Sequence, residues 1–300
     1  PSGNDRQNGK FFPDSGMDLA LPRWEKLVFF LIGWLGFQIL GELLSVIIAP
    51  IYRAGVIDYN LANTLLTFIS YLLIATAFVM FFFFDKRKTY KTFAKDFTNP
   101  SFLGYAVLAF AAMIAVNVFF SMIYSSTCPD IYGANSNQNS INDVVKAFPI
   151  AMFFPLVLFA PFNEELTYRI GLVDGIGHRG NHKWLGIIFS SLIFASIHFD
   201  FTSISGYLNL AAQLNSGVEG ITVEMVSGAL IAMQNEFLNL PVYIMSGFIL
   251  CFSYAKTGKI STSMTAHSLN NLISFISILV ATSASSGTSS EIAAFFTRIM

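Results

Sequence analysis

A small set of ionisable, amide and aromatic side chains stands inside apolar stretches of this chain. The set comprises Glu164, Glu165 and Arg169 in one stretch, Phe194 and His198 in a second, and His267 and Asn271 in a third. Ionisable groups at bilayer depth are expensive and are usually functional. The sequence therefore predicts chemistry carried out inside a membrane.

The residue types in this set suit hydrolysis of a peptide bond. A carboxylate beside a neutral imidazole can take a proton from water, so Glu164 and His198 are the expected water-activating pair. The oxyanion that develops next needs donors already aimed at it in a dry site, and His267 and Asn271 could supply them. The set predicts a hydrolase in which a glutamate activates water.

Helical spacing indicates which side chains act together. Glu165 and Arg169 are four residues apart and share one helix face, so Arg169 is expected to hold Glu165 ionised. Glu164 lies about 100° round the helix and is expected to face the cavity. Phe194 is interpreted as a packing residue, and Asn270 is expected to face away from the site.

The composition indicates a membrane protein. Of the 300 residues 54% are hydrophobic and only 12% are charged, whereas soluble domains carry about 25% charged residues. The net charge of −1 gives no reason to expect a nucleic-acid partner. The two cysteines, Cys128 and Cys251, are too few for a disulfide framework and are interpreted as free thiols.

Seven apolar segments approach the roughly 20 residues that are needed to cross a bilayer. They cover residues 27–50, 61–84, 102–124, 148–173, 184–202, 237–255 and 260–282. A further stretch, 221–233, is interrupted by Glu224 and Gly228 and is interpreted as a surface or re-entrant segment, with an eighth span as the alternative. The predicted fold class is an all-α, polytopic transmembrane helix bundle.

The distribution of basic residues predicts the orientation. Between these segments, 14 of the 17 Lys and Arg residues fall on one side, which the positive-inside rule makes cytoplasmic. The N-terminus is then cytoplasmic. Measured from that side, the candidate residues lie roughly 12 to 22 Å deep at 1.5 Å per residue, so they converge on one depth, biased to the cytoplasmic side.

The predicted organisation has four parts. Residues 1–26 form a polar cytoplasmic segment whose start at Pro1 indicates trimming, and 27–147 form N-terminal transmembrane helices. Residues 148–282 form a catalytic transmembrane core with an outer connection at 203–236, and 283–300 form a polar tail. His178 and His182 are interpreted as solvated loop residues, and Glu42 as a helix-contact residue within the first span.

The set resembles the CPBP intramembrane endopeptidases, which include the eukaryotic CAAX-processing endopeptidase and bacterial members tied to bacteriocin processing or self-immunity. The resemblance covers about residues 148–275 and rests on three motifs in order: Glu164-Glu165-x-x-x-Arg169, Phe194-x-x-x-His198 and His267-x-x-x-Asn271. It implies a glutamate-dependent, metal-independent protease without a cofactor. Its expected partners are the bilayer and a membrane-associated peptide or protein, such as a prenylated CAAX protein or a leader peptide.

Three other classes remain open at the level of sequence. A zinc protease could use Glu164, His198 and His267 as ligands, although the chain has no H-E-x-x-H motif. A non-proteolytic immunity or scaffold protein could bind a peptide in the same pocket without cutting it. A transporter is disfavoured because no internal repeat is visible.

Overall fold

The computed structural model describes residues 11–177 and 182–285, and every regular element within these ranges is a helix. The helices are α1 (Gly16–Ala20), α2 (Arg23–Arg53), α3 (Tyr59–Phe84), α4 (Thr89–Lys95), α5 (Ser101–Thr127), α6 (Ser136–Ala147), α7 (Pro149–Gly177), α8 (Lys183–Ser196), α9 (Thr202–Asn215), α10 (Val223–Thr257) and α11 (Ile260–Ser285). The predictions for residues 1–10, for His178 and for 286–300 lie outside the described residues.

Six helices are long and apolar enough to cross a membrane, counted over the described residues: α2, α3, α5, α7, α10 and α11. They confirm the polytopic helix bundle. The fifth of the seven predicted spans, 184–202, is instead the shorter α8, which has 14 residues. At 1.5 Å per residue α8 is about 21 Å long, which is less than the roughly 30 Å of a hydrocarbon core.

The predicted outer connection at 203–236 is replaced by helix. It contains α9 and the first 14 of the 35 residues of α10, which runs without a break from Val223 to Thr257. The Thr222 side chain caps α10 by accepting a hydrogen bond from the Met225 N–H, and Glu224 lies in the first turn, where a negative charge is favourable. Glu224 and Gly228, which interrupt the apolar stretch 221–233, are therefore compatible with one long helix.

Helix α7 changes its winding around the two acids. It is π-helical over Phe154–Phe159 and Leu166–Asp174, with an α-helical turn, Ala160–Glu165, between these segments. Pro155 and Pro161 lack the N–H that a regular α-helix would use at these positions. Such wide turns are frequent at functional sites, and here they flank Glu164 and Glu165.

Glycines bring α2 into close contact with this part of α7. A Cβ built on Gly33 would lie 1.6 Å from Thr167 Oγ1, and one on Gly171 would lie 2.8 Å from the backbone nitrogen of Phe30. Small residues allow membrane helices to approach closely without a large apolar driving force between them. The backbones of α2 and α7 therefore touch beside the acids.

A buried ionic cluster joins the N-terminal segment to α7 and α8. Four charged residues of the cluster, Asp18, Lys26, Asp174 and Lys183, have fully buried side chains. Lys26 pairs with Asp18, and the Lys183 ammonium lies 2.7 Å from Asp174 and 3.5 Å from Asp18. Residues 11–26, predicted as part of a polar segment, thus include a folded and buried portion.

Two hydroxyl groups extend this cluster to α10. Ser15 donates a hydrogen bond to Asp174 at 2.8 Å. The single proton of the Tyr254 hydroxyl is within reach of the same carboxylate and of Ser15 Oγ. Phe12 also packs edge-on against Trp184. The segment before α2 therefore fastens the ends of α7, α8 and α10 together.

Asp96, between α4 and α5, holds the start of α11. Its carboxylate accepts a hydrogen bond from the Ile260 N–H at 3.0 Å, and its carbonyl accepts one from the Ser261 hydroxyl at 2.7 Å. Burial raises the pKa of Asp96 from its ordinary value of 3.8 to about 6. The contact fixes the beginning of the helix that carries His267.

Asp96→Asn is expected to change how stability depends on pH. The carboxyl of the unfolded chain loses its proton near pH 4 and that of the folded chain near pH 6, so wild-type stability should fall as pH rises through this window. The side-chain amide of Asn at position 96 cannot titrate, but its oxygen can still accept the hydrogen bond from the Ile260 N–H. Thermal unfolding of the two proteins at pH 4 to 7 measures the effect, and parallel profiles would contradict it.

Candidate active site

Glu165, Arg169 and His267 form a buried group in which Glu165 contacts both of the other side chains. Glu165 accepts two hydrogen bonds from the Arg169 guanidinium, from Nε and from the second terminal nitrogen, both at 2.8 Å. Its Oε1 also lies 2.9 Å from His267 Nδ1. The side chains of Glu165 and Arg169 are fully buried, so the expected ion pair is present and also orients an imidazole.

Glu164 faces the cavity, as its position on the helix predicted. Its Oε1 accepts a hydrogen bond from the Tyr71 hydroxyl at 3.2 Å. Its Oε2 lies 3.8 Å from His267 Nε2, beyond hydrogen-bond distance, and has no partner among the described residues. One carboxylate oxygen is thus anchored by Tyr71, while the other is buried beside His267 without a hydrogen-bond partner among the described residues.

The contact with Glu165 determines what His267 can offer. An ionised carboxylate accepts hydrogen bonds only, so Nδ1 of His267 must carry the proton that bonds to Glu165. In a neutral imidazole Nε2 is then an acceptor, whereas in an imidazolium it is a second donor. His267 can therefore donate to an oxyanion from Nε2 only after it has gained a proton.

His198 lies just beyond the end of α8 and is held on three sides. Its ring stacks on Tyr243, with centroids 4.6 Å apart, and meets the edge of Phe194 at 4.9 Å. Its Nδ1 lies 3.4 Å from the side-chain amide nitrogen of Asn137. An amide N–H at that position makes Nδ1 the acceptor and leaves the proton on Nε2.

Phe194 and Asn271 complete the predicted set. Phe194 packs against Tyr168, and the Arg169 guanidinium lies 5.4 Å from the centre of its ring. Asn271 donates a hydrogen bond from Nδ2 to the Leu156 carbonyl at 2.9 Å. The side chains of α7, α8 and α11 named by the three motifs therefore meet in one place.

Two cavities meet at this place. One, of about 720 Å³, lies along α2 and α3, and the other, of about 510 Å³, lies along α5, α10 and α11. Six residues line both cavities: Tyr71, Asn137, Ile141, Leu156, Glu164 and His198. The Glu164 carboxylate therefore stands at the junction of the two cavities.

Asn270 differs from the prediction. It was expected to face away, but it lines the smaller cavity together with His267 and Asn271. The reason is that this cavity follows α11 for several turns and is wide enough to reach more than one face of the helix. A second side-chain amide is therefore available beside Asn271.

Three further residues of the site were not predicted. Tyr71 and Asn137 contact Glu164 and His198, and Cys251 lies 3.3 Å from both Arg169 Nη1 and Ser190 Oγ. A hydroxyl in the second apolar stretch could have drawn attention to Tyr71. Asn137 lies in a polar stretch of sequence where nothing distinguishes it from its neighbours. Cys251 was predicted to be a free thiol, and the structure confirms this.

Two other polar residues lie away from the site. Glu42 is exposed on α2 and His182 is exposed before α8, and neither lines the two cavities. Across residues 11–177 and 182–285, no group of three or more His, Cys, Asp or Glu side chains is placed to hold a metal ion.

Tyr71→Phe is expected to lower the rate of the reaction that Glu164 supports. A hydrogen bond to a charged group contributes about 1.5–3 kcal/mol, so kcat/KM should fall about 10- to 100-fold, with most of the loss in kcat. Thr76→Phe, an exposed position five residues along α3, is the matched control. Equal activity of Tyr71→Phe and wild type would show that the hydroxyl does not act on Glu164.

The described fold and cavities define a multi-pass helical membrane protein with a buried glutamate and histidine site. Residues 146–273 match the family model of Rce1-like type II CAAX prenyl endopeptidases, which confirms the resemblance predicted from the three motifs.

The chain is also similar to the UPF0177 protein YvdC of Lactococcus lactis subsp. lactis (strain IL1403). The two are 29% identical over 143 residues, which is 48% of this chain and 48% of that protein. The match thus spans about half the length of the curated relative. No solved structure matches this chain.

Proposed function

We propose that this protein is an intramembrane endopeptidase that hydrolyses a peptide bond of a membrane-associated substrate with water activated by Glu164. The observation that carries the proposal is the Glu164 carboxylate at the junction of two cavities. One of its oxygens is anchored by Tyr71, and the other is buried 3.8 Å from His267 Nε2 and has no hydrogen-bond partner among the described residues. Such an oxygen can accept a proton from a water molecule between it and a substrate carbonyl.

The surrounding side chains have separate tasks in this proposal. Water loses a proton to Glu164 as its oxygen attacks the carbonyl carbon, and His198, with its proton on Nε2, orients that water. His267 in its charged form and the amide of Asn271 donate to the oxyanion. Glu164 then returns the proton to the leaving amine, which completes the hydrolysis.

Glu165 and Arg169 are structural in this scheme. Glu165 fixes the orientation of the His267 imidazole through Nδ1, as the aspartate does in a serine protease triad. Arg169 balances the charge of Glu165, and both side chains are fully buried. We further propose a cytoplasmic N-terminus and substrate entry from the cytoplasmic side, on the distribution of Lys and Arg.

Cleavage of a panel of farnesylated and unfarnesylated membrane peptides by the purified protein tests the function. We expect products with one new carboxyl group, and full activity after exhaustive chelation. Activity lost on chelation and restored by zinc would replace the glutamate mechanism with a metal-dependent one. A folded protein that binds the peptides but cuts none would favour a non-proteolytic immunity or scaffold role.

The same panel in vesicles of known orientation tests the sidedness. Substrates presented on the face that carries the N-terminus should be cut, and those presented only on the opposite face should be spared. Cleavage of only the opposite set would overturn the proposed entry side and leave the chemistry intact.

A further inference from the structure

His198 lies in an irregular turn, so its position depends on contacts from other elements. Helix α8 ends at Ser196 and α9 begins only at Thr202. The backbone carbonyl of His198 accepts a hydrogen bond from Asn135 Nδ2 at 3.2 Å, and Asn135 is the N-cap residue of α6. The histidine that orients water in the proposed function is therefore held by the start of α6 as well as by α8.

Glu236 of α10 is a buried carboxylate whose two oxygens both accept hydrogen bonds. Its Oε1 accepts from the Ser136 N–H at 2.7 Å, at the N-terminus of α6. Its Oε2 accepts from the Asp200 N–H at 3.2 Å and from Asn135 Nδ2 at 3.4 Å. An ionised carboxylate only accepts hydrogen bonds, and a negative charge is favourable at a helix N-terminus. Glu236 therefore joins the start of α6 to the turn that follows His198.

The side chains that hold the imidazole ring come from the same two elements. Asn137, in the first turn of α6, has its Nδ2 3.4 Å from His198 Nδ1. Tyr243 follows Glu236 by seven residues, or two turns along one face of α10, and stacks on the ring of His198. The Tyr243 hydroxyl also donates to Asn135 Oδ1 at 3.4 Å. The relative position of α6 and α10 thus determines how the ring is oriented.

We propose that Glu236 is a positioning residue for His198. Its carboxylate fixes the start of α6 against the turn after His198, so that Asn137 donates to Nδ1 and the imidazole proton stays on Nε2. This inference rests on the proposed function, in which Nε2 orients the attacking water, and adds to it a residue outside the three motifs. Glu236 lines neither cavity, so it acts through His198 and not on the substrate.

Glu236→Gln tests the effect on catalysis. The amide has one acceptor oxygen in place of two, and its NH2 group faces an N–H donor, so either Ser136 or Asp200 loses its acceptor. The value of kcat should fall about 10- to 100-fold, because a small displacement of a catalytic group has an effect of that size, while KM changes little. Glu224→Gln, the same substitution at an exposed position in the first turn of α10, should keep the wild-type kcat.

Nitrogen NMR of protein labelled at its histidines measures the tautomer without turnover. Protonated and unprotonated nitrogens of a neutral imidazole resonate at well-separated frequencies, and the signals of His198 are those that disappear in His198→Gln. In the wild-type protein Nδ1 should be unprotonated and Nε2 protonated. In Glu236→Gln both signals should move toward intermediate frequencies, because the two tautomers are then both populated.

A second variant alters the same contact from the other side. Asn135→Ser keeps a side-chain oxygen that can accept from the Gln138 N–H and cap α6. It removes the amide that donates to Glu236 and to the His198 carbonyl. It should reproduce the loss of kcat and the mixed tautomers of His198 with Glu236 still present. If Glu236→Gln does not fold, Asn135→Ser decides the question.

The proposal is overturned if the folded variants keep the wild-type signals of His198. The same holds if they lose stability without a change in those signals, because Glu236 would then support the fold alone. Altered signals with an unchanged kcat would establish the positioning of His198 but refute its role in the proposed function. If the wild-type protein cuts no peptide, the endopeptidase function fails, whereas the NMR result still shows whether Glu236 positions His198.

Discussion

Glu164→Gln is expected to reduce kcat/KM by about 10²- to 10⁴-fold, the usual contribution of a general base. The amide keeps the size of the side chain and can still accept from Tyr71, but it cannot take a proton from water. Because the second carboxylate oxygen has no partner among the described residues, little bonding is lost. The variant should therefore unfold at the wild-type temperature or slightly above it.

Paired assays of turnover and unfolding in the same detergent measure this result. Glu42→Gln is the matched control, since Glu42 lies on a membrane-spanning helix but is exposed and outside both cavities. Activity of Glu164→Gln within a few-fold of wild type would show that another group is the base. A large loss of stability would mean that the carboxylate is structural.

Glu165→Gln is expected to have the largest effect on stability. Its carboxylate makes three close contacts, two with Arg169 and one with His267, and both members of the ion pair are fully buried. Removing one partner leaves the guanidinium buried without its counter-charge, which typically costs about 3–5 kcal/mol. The free energy of unfolding from denaturant titration should fall by that amount.

A double-mutant cycle separates the pair from its surroundings. Arg169→Gln should also be strongly destabilising, while Glu165→Gln with Arg169→Gln should cost less than the sum of the single variants, with a coupling of about 1–3 kcal/mol. Additive effects would show that the two side chains stabilise the protein independently. Glu42→Gln is again the control, since it measures how much the free energy of unfolding changes when an exposed carboxylate is removed from a membrane-spanning helix.

Much of the fold and of the set of polar residues could be predicted because both depend on local patterns. Six of the seven predicted spans have counterparts among the six membrane-length helices, since hydropathy over about 20 residues reports directly on burial in lipid. The four-residue spacing of Glu165 and Arg169 placed their ion pair, and the orientation of Glu164 followed from it. The catalytic roles remain predictions.

The features that were missed depend on contacts between distant segments. Hydropathy could not reveal that α10 begins at Val223 and includes Glu224. A charged residue lowers the hydropathy of a segment, but a negative charge in the first turn of a helix is favourable. Nor could it show that Tyr71 reaches Glu164, 93 residues away, or that the cavity is wide enough to include Asn270. These facts follow from how the helices pack.

The fastening of the N-terminal segment has a consequence for the order of biosynthesis. Ser15 and Tyr254 are 239 residues apart in the chain but share a hydrogen bond and a common acceptor in Asp174. When synthesis of α7 is complete, Asp174 has been made, but Tyr254 on α10, which donates to it, has not. Completion of the cluster must wait for nearly the whole polypeptide, so an early-made segment takes its final place late in assembly.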